Sequence, residues 1–385
     1  MFASRTNWDL ETNRLADALA RHRSSGRKLF DLAASNPTEY GFHYDAPAIV
    51  RALCNPSAMQ YHPEPRGLLS ARKAVSEYYA ARKDQVSHES LFLTVSTSEA
   101  YSYVFRLLCN PGDELLIPTP GYPLFDFLAE VNDVKLSRYP LFYDHGWHID
   151  LHALEQAITP QTRGVIVVHP NNPTGHYTKP AEIARLNQIC SANKMAVIAD
   201  EVFLDFSLIG TTQPSFIANQ DTLTFTLSGI SKISGLPQMK LAWLAVSGPD
   251  NLKREALARL ELIADTYLSM NAPIQLAAPI LLQQRTNFQR QLMARVKTNL
   301  SGLDSQLTGQ SQVSRLEIES GWYAVLRVPA TRSDEDLSID LLEKHNVYVH
   351  PGHFYEFPGD GYLVVSLITS EQEFAEGISR ILTAF

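Results

Sequence analysis

Cysteine is scarce in this 385-residue chain: Cys54, Cys109 and Cys190 lie far apart, form no CxxC pair and are odd in number. Neither a disulfide framework nor a zinc ribbon is indicated, and reduced thiols are expected. Basic charge is also short. Lys plus Arg total 33 against 41 Asp plus Glu, for a formal charge of -8. That balance gives no general attraction for nucleic acid or anionic membranes, so any bound anion must be held locally. No apolar run approaches the length of a membrane span, and Met1 to Gly26 has no signal-peptide core, which points to the cytosol. A GxGxxG after a strand and a GxxxxGK[ST] loop are both missing, which argues against a nucleotide-dependent oxidoreductase or P-loop protein. Among the histidines, no pair has metal-ligand spacing on one element, and no metal site is expected.

What is present is the composition of a globular chain, 45% hydrophobic and 19% charged, long enough for two domains. Short apolar runs rich in β-formers recur at 91–95, 114–118, 164–168, 195–200, 222–227 and 241–246. Between several of them lie amphipathic stretches such as Glu99 to Leu108 and Ala181 to Ala192, each opened by a turn or capping residue. Continuous apolar strands alternating with helices predict an α/β large domain: a mainly parallel sheet sandwiched by helices. After Pro249 the pattern turns to long helices, then short strands near Trp322, Val347 and Tyr362, which predicts a smaller α+β domain. The expected organisation is an N-terminal arm over 1–45, a large domain over 46–270 and a small domain over 271–385. The arm is expected to pack on the small domain or on a partner subunit.

In an open α/β sheet, ligands lie beyond the carboxyl ends of the strands. The residues that follow the runs are therefore the informative ones. Ser96, Thr97 and Ser98 follow the first, where a helix begins, and hydroxyls with free backbone N–H groups there can hold an anion. They are also ordinary capping residues. His169-Pro170-Asn171-Asn172-Pro173-Thr174-Gly175 is a rigid turn. Asp200-Glu201 ends the fourth run, and Ser228-Gly229-Ile230-Ser231-Lys232 the fifth, with Lys240 beyond.

NNPTG, DEV and SxxSK in this order resemble the class I/II aminotransferases, aspartate aminotransferase-like enzymes of the pyridoxal-phosphate superfamily called fold type I. The resemblance covers nearly the whole chain. It implies pyridoxal 5'-phosphate as cofactor, Lys232 as the Schiff-base lysine and proton shuttle, and Asp200 as the carboxylate that keeps the cofactor's ring nitrogen protonated. Asn172 would bond the ring hydroxyl, with a cis bond to Pro173, and Tyr122 would stack on the ring. Ser96, Thr97, Ser98, Ser228, Ser231 and Lys240 would hold the phosphate, and Tyr61 would reach the phosphate of the other subunit of a homodimer. The implied reaction is transfer of an amino group between amino and keto acids in a ping-pong cycle. Lyase, decarboxylase or cyclase chemistry on the same scaffold is the alternative, and a non-catalytic regulator is a remote third.

The pattern departs from that family at four positions. Lys240 stands for an arginine, Gly229 for a phosphate-binding serine, Phe203 for a tyrosine, and Val364 for the arginine that grips the substrate carboxylate. Arg327, Arg66, His350 and His353 are the candidates to replace that last charge, with Arg327 the leading one. Loss of the tyrosine hydroxyl at Phe203 leaves the ring phenolate less stabilised, so the Schiff-base proton is held more tightly. The expected absorbance is that of the protonated form across neutral pH; a visible titration to the deprotonated form below pH 7 would contradict this.

Overall fold

The computed structural model describes residues 1–211, 213–268 and 270–385. In chain order the strands are β1 Phe30–Asp31, β2 Leu91–Thr94, β3 Glu114–Thr119, β4 Lys135–Tyr143, β5 Trp147–Ile149, β6 Thr162–Val168, β7 Ala196–Asp200, β8 Thr224–Gly229, β9 Ala242–Ser247, β10 Ser314–Arg315, β11 Tyr323–Arg327, β12 Val347–Tyr348, β13 His350–Pro351 and β14 Tyr362–Ser366. Eight of them form one sheet in the order β2-β9-β8-β7-β6-β3-β4-β5. The pairs β8·β7, β7·β6, β6·β3 and β3·β4 are parallel.

Strands β7, β8 and β9 are buried along their whole length; β7 and β9 accordingly read as near-continuous apolar runs, whereas β8 alternates Thr and Ser with Phe and Leu. β9 runs antiparallel to both β8 and β2. The link from Ile230 to Leu241 holds only one helical turn and a 3-10 turn. Such a link returns the chain beside β8 rather than building the longer crossover a parallel neighbour needs. The helices flanking the sheet begin where local chemistry satisfies their first N–H groups. Ser96 Oγ accepts from Glu99 N at 3.2 Å, and Glu99 Oε2 accepts from Val95 N at 2.8 Å. Glu182 Oε2 accepts from Lys179 N at 2.6 Å at the head of Pro180–Ala192.

A second, antiparallel sheet has the order β10-β11-β14-β13. Helix Arg14–Ser24 packs on helix Asp334–His345, where Arg14 pairs with Glu335 and Asp336, and β1 pairs in parallel with β12. Trp8 meets Phe127 edge-on, so the first residues also touch the helix Phe125–Glu130.

The turn after β6 joins the two sheets. Gly175 N donates to Asn171 O at 2.8 Å, and Glu319 N donates to Gly175 O at 3.3 Å. Gly175 has φ +70, and a Cβ there would stand 2.4 Å from the Ser320 carbonyl oxygen. Gly175→Ala is therefore expected to cost roughly 2–4 kcal/mol, from left-handed strain plus a backbone clash. A thermal melt should show a lowered midpoint, and an unchanged midpoint would refute this account.

Candidate active site

The carboxyl ends of β2, β3, β6, β7 and β8 open on one edge of the large sheet, together with the amino end of the reversed β9. There they border a cleft of about 350 Å³. Ser96, Thr97, Ser98, Tyr122, Asn172, Asp200, Ser231 and Lys232 all line it. The register makes this convergence possible: Val168 pairs with Asp200, so β6 and β7 end level, and Asp200 pairs with Leu227, two residues before β8 ends at Gly229.

Asp200 is 8% exposed. Its Oδ2 accepts from the Tyr101 hydroxyl at 3.1 Å and its Oδ1 from Val202 N at 3.2 Å. Desolvation raises its pKa to about 6, against those two donors and the Lys232 charge, which lower it. Lys232 follows β8 on the one-turn helix Ile230–Ile233. Its Nζ lies 5.3 Å from the Trp322 ring centroid and 5.8 Å from that of Phe203. Desolvation lowers the amine to about 8, while Asp200 opposes that shift. The two groups thus stand in one cleft, both moved by burial into the range where proton transfer near neutral pH is efficient.

The peptide bonds before Pro120, Pro170 and Pro173 are cis. Asn171 shapes the turn: its Nδ2 donates to Pro120 O at 3.1 Å and to Thr174 Oγ1 at 2.9 Å. Asn172 instead faces the cleft, and its Oδ1 is buried with no hydrogen-bond partner. Such an orphan is costly unless a ligand satisfies it. Ser96 to Ser98 present the head of the 12-residue helix Thr97–Leu108 to the same cleft.

Three residues expected here lie away from it, as does Tyr61, which is expected at the other subunit's site. Ser228 is buried with its hydroxyl on Glu201 O at 3.4 Å, because alternation along β8 turns it away. Lys240 is exposed in a left-handed turn and does not line the cleft. Tyr61 is 77% exposed and borders a separate small cavity with His62 and Leu268. Arg327 lies at the far end of β11, where its Nη1 donates to the Tyr362 hydroxyl at 2.8 Å and its guanidinium sits 4.6 Å from that ring centroid.

Of the other candidates, Arg66 bonds Glu261 and the Glu89 carbonyl, and His353 borders a different cavity; His350 alone lines the cleft. Val364 is 1% exposed in the second sheet. A Cβ at Gly229 would stand 2.9 Å from Ala242 Cβ, so β9 crowds out the serine expected there. Phe203 lines the cleft and meets Trp322 edge-on at 4.9 Å.

Sequence reasoning missed Tyr101, Trp322, Tyr323, Tyr355 and Ser35, all in or against this cleft. Tyr101 had a usable signal, since it lies one helical turn past Thr97 on the same helix face. The others come from segments brought in by the second sheet and the N-terminal arm, and no local pattern marks them.

A half-buried lysine with a desolvated amine and a buried carboxylate stand at the carboxyl ends of a mixed, mainly parallel sheet, the arrangement that marks the fold type I class of proteins. The chain belongs to the family described as aminotransferase class I and II, whose model matches residues 27–381. It is 30% identical over 258 residues to the glutamate-pyruvate aminotransferase AlaA of Escherichia coli strain K12, covering 66% of this chain. That match spans 64% of the relative's length, just under two thirds. The enzyme of the same name from Haemophilus influenzae is 24% identical over 379 residues, covering 95% of this chain and 93% of its own. The solved alanine aminotransferase from Pyrococcus furiosus superposes with a TM-score of 0.90 at 21% identity, covering 100% of this chain and 99% of that one, which shows the shared fold.

The mutual influence of the two ionisable groups is testable in cofactor-free protein. Modification of Lys232 by an amine reagent, followed by peptide mass spectrometry, should be half-maximal near pH 8 rather than 10.5. Asp200→Asn removes the one charge that favours the ammonium form, so the midpoint should fall further. A midpoint that rises in this variant would show that the carboxylate does not act on the amine.

Proposed function

We propose that this protein is a pyridoxal-phosphate-dependent aminotransferase that passes an amino group between an amino compound and a carbonyl compound in a ping-pong cycle. The observation that carries this reading is the pairing of Lys232 with Asp200 in one cleft whose Asn172 Oδ1 lacks a partner. Family membership supports it, and the relatives named for alanine and glutamate-pyruvate transamination are consistent with it.

The residues fit the cofactor. Asp200 would face the ring nitrogen, its carboxylate largely ionised at pH 7 because its value is about 6. Tyr101 holds that carboxylate in place through its hydroxyl. The Asn172 carboxamide, whose oxygen and nitrogen are interchangeable by rotation, would meet the ring hydroxyl. Ser96 to Ser98, with the N–H groups of the helix head, and Ser231 would take the phosphate. Tyr122 would cover the ring face. Bound pyridoxal phosphate supplies a carbonyl that condenses with amines and a ring that accepts electron density from the substrate carbon.

Lys232 does the proton work. With its amine lowered to about 8, a useful fraction is unprotonated at neutrality, so Nζ would be available to hold the cofactor through its carbonyl. When not so engaged, the same Nζ would be the base that takes a proton from the substrate carbon. The Trp322 and Phe203 rings stand beside this atom, 5.3 and 5.8 Å away at their centroids.

The working unit in this proposal is a cytoplasmic homodimer. Supporting the dimer, Tyr61 and Leu268, which border the small cavity, and Met59 and Leu262, close in sequence to segments that line it, are large apolar residues left exposed. Among the described residues, no helix is long and apolar enough to cross a membrane.

Borohydride reduction of cofactor-loaded protein should place the adduct on the Lys232 peptide, and ¹⁵N from a labelled amine should appear in an added carbonyl acceptor. Lys232→Ala should abolish the adduct and lower transfer by at least about a thousandfold. Release of free ammonia without transfer to any acceptor would exclude an aminotransferase.

A further inference from the structure

The cleft is poor in positive charge. Among the described residues that line it, Lys232 is the one Lys or Arg side chain. Arginines on the bordering elements are committed elsewhere: Arg327 to Tyr362, Arg66 to Glu261, and Arg295 to the carbonyls of Ile368 and Thr369. On the reading above, the site already carries a phosphate and the Asp200 carboxylate. A further carboxylate buried beside them, with no cation to pair it, is strongly disfavoured.

The second sheet determines what the free end of the cleft offers instead. Val325, Val364 and His350 stand side by side in register across β11, β14 and β13, and therefore share one face. Tyr323 lies two residues from Val325 on that same face, and both Tyr323 and His350 reach the cleft. In the row itself, His350 is the one side chain with a polar atom. Its Nδ1 lies 3.0 Å from the Tyr355 hydroxyl, and no other described group bonds its ring. Burial lowers its pKa to about 4, so the imidazole is neutral at pH 7 and Nε2 offers a single uncharged hydrogen bond.

We infer that His350, oriented by Tyr355, is the specificity-determining contact for the polar group beside the reacting carbon, and that this group is uncharged. The cleft then prefers amines that carry a carboxamide or hydroxyl where an α-amino acid carries its carboxylate. The inference rests on the aminotransferase reading and deepens it. The physical basis is asymmetric. A carboxylate would lose its hydration for neutral donors of this chain alone, whereas a carboxamide or hydroxyl exchanges water contacts for protein contacts at little net cost.

The test compares α-aminoisobutyrate with its primary carboxamide on cofactor-loaded protein. Neither has a hydrogen on the reacting carbon, so binding is read without turnover, from the change in cofactor absorbance. With each dissociation constant expressed per unprotonated amine, the carboxamide should bind at least about tenfold more tightly. His350→Leu should remove most of that preference, and His350→Gln, which keeps a neutral polar group, should retain it. Equal binding, or tighter binding of the carboxylate, overturns the inference, and so does a carboxamide preference that survives His350→Leu. The wild-type comparison decides the matter even where a variant does not fold. Absence of a borohydride-stable adduct on Lys232 in the starting protein would overturn the aminotransferase reading and this inference with it; an adduct with carboxylate preference would overturn the inference alone.

Discussion

Removing the Lys232 amine and the Asp200 carboxylate from water within one cleft is the constraint on which the rest of the site depends. Desolvation pushes the acid up and the amine down, and each charge partly offsets the other's shift. Neither shift would occur at a surface, so the surrounding structure must first exclude solvent. It does so from three directions: Tyr101 from the helix Thr97–Leu108, Phe203 from the turn after β7, and Trp322 from the strand-entry segment of the second sheet.

That last contribution explains why the turn carrying Asn172 is tied to the second sheet. Gly175 and Glu319 exchange a backbone bond, the Tyr177 hydroxyl donates to Ser320 Oγ at 2.9 Å, and Ser320 Oγ donates to Phe206 O at 2.8 Å. Ser320 adjoins the pair Gly321 and Trp322, so the bonds that place the turn also place the indole over the lysine. Packing and chemistry are set by the same contacts here. A change that loosens the turn should be felt at the amine without touching it.

The charge poverty of the cleft follows from where the cations end. Lys240 and Arg327 each lie on an element that borders the site, yet each points to solvent or to an aromatic ring outside it. Proximity along the chain or along a strand is therefore a poor guide to electrostatic presence. At roughly 3.3 Å per residue, Arg327 lies about 13 Å along β11 from Tyr323, which does reach the cleft.

Much of the architecture could be read from local pattern. The runs at 91–95 and 164–168 became β2 and β6 because burial on both faces favours continuous apolar residues, and the alternating Thr-apolar run at 222–227 became β8. β4 escaped notice for the complementary reason, since it is exposed at Lys135, Pro140, Phe142 and Tyr143 and so carries no such run. The reversed direction of β9 was equally unreadable, because an apolar run has no polarity. In the site, the residues immediately following strand ends were identifiable, as the chain itself delivers Asn172, Asp200 and Lys232 to one edge.

The amino-acid sequence alone determined which segments are buried and which residues stand where strands end, because both are set by neighbours within a few positions. Only the tertiary structure decided that Tyr101, Trp322 and His350 face the cleft while Lys240, Ser228 and Arg327 do not. Those outcomes depend on strand register, alternation and packing between segments far apart in the chain, such as Tyr101 with Asp200 and Lys232 with Trp322, and no short window of sequence contains that information.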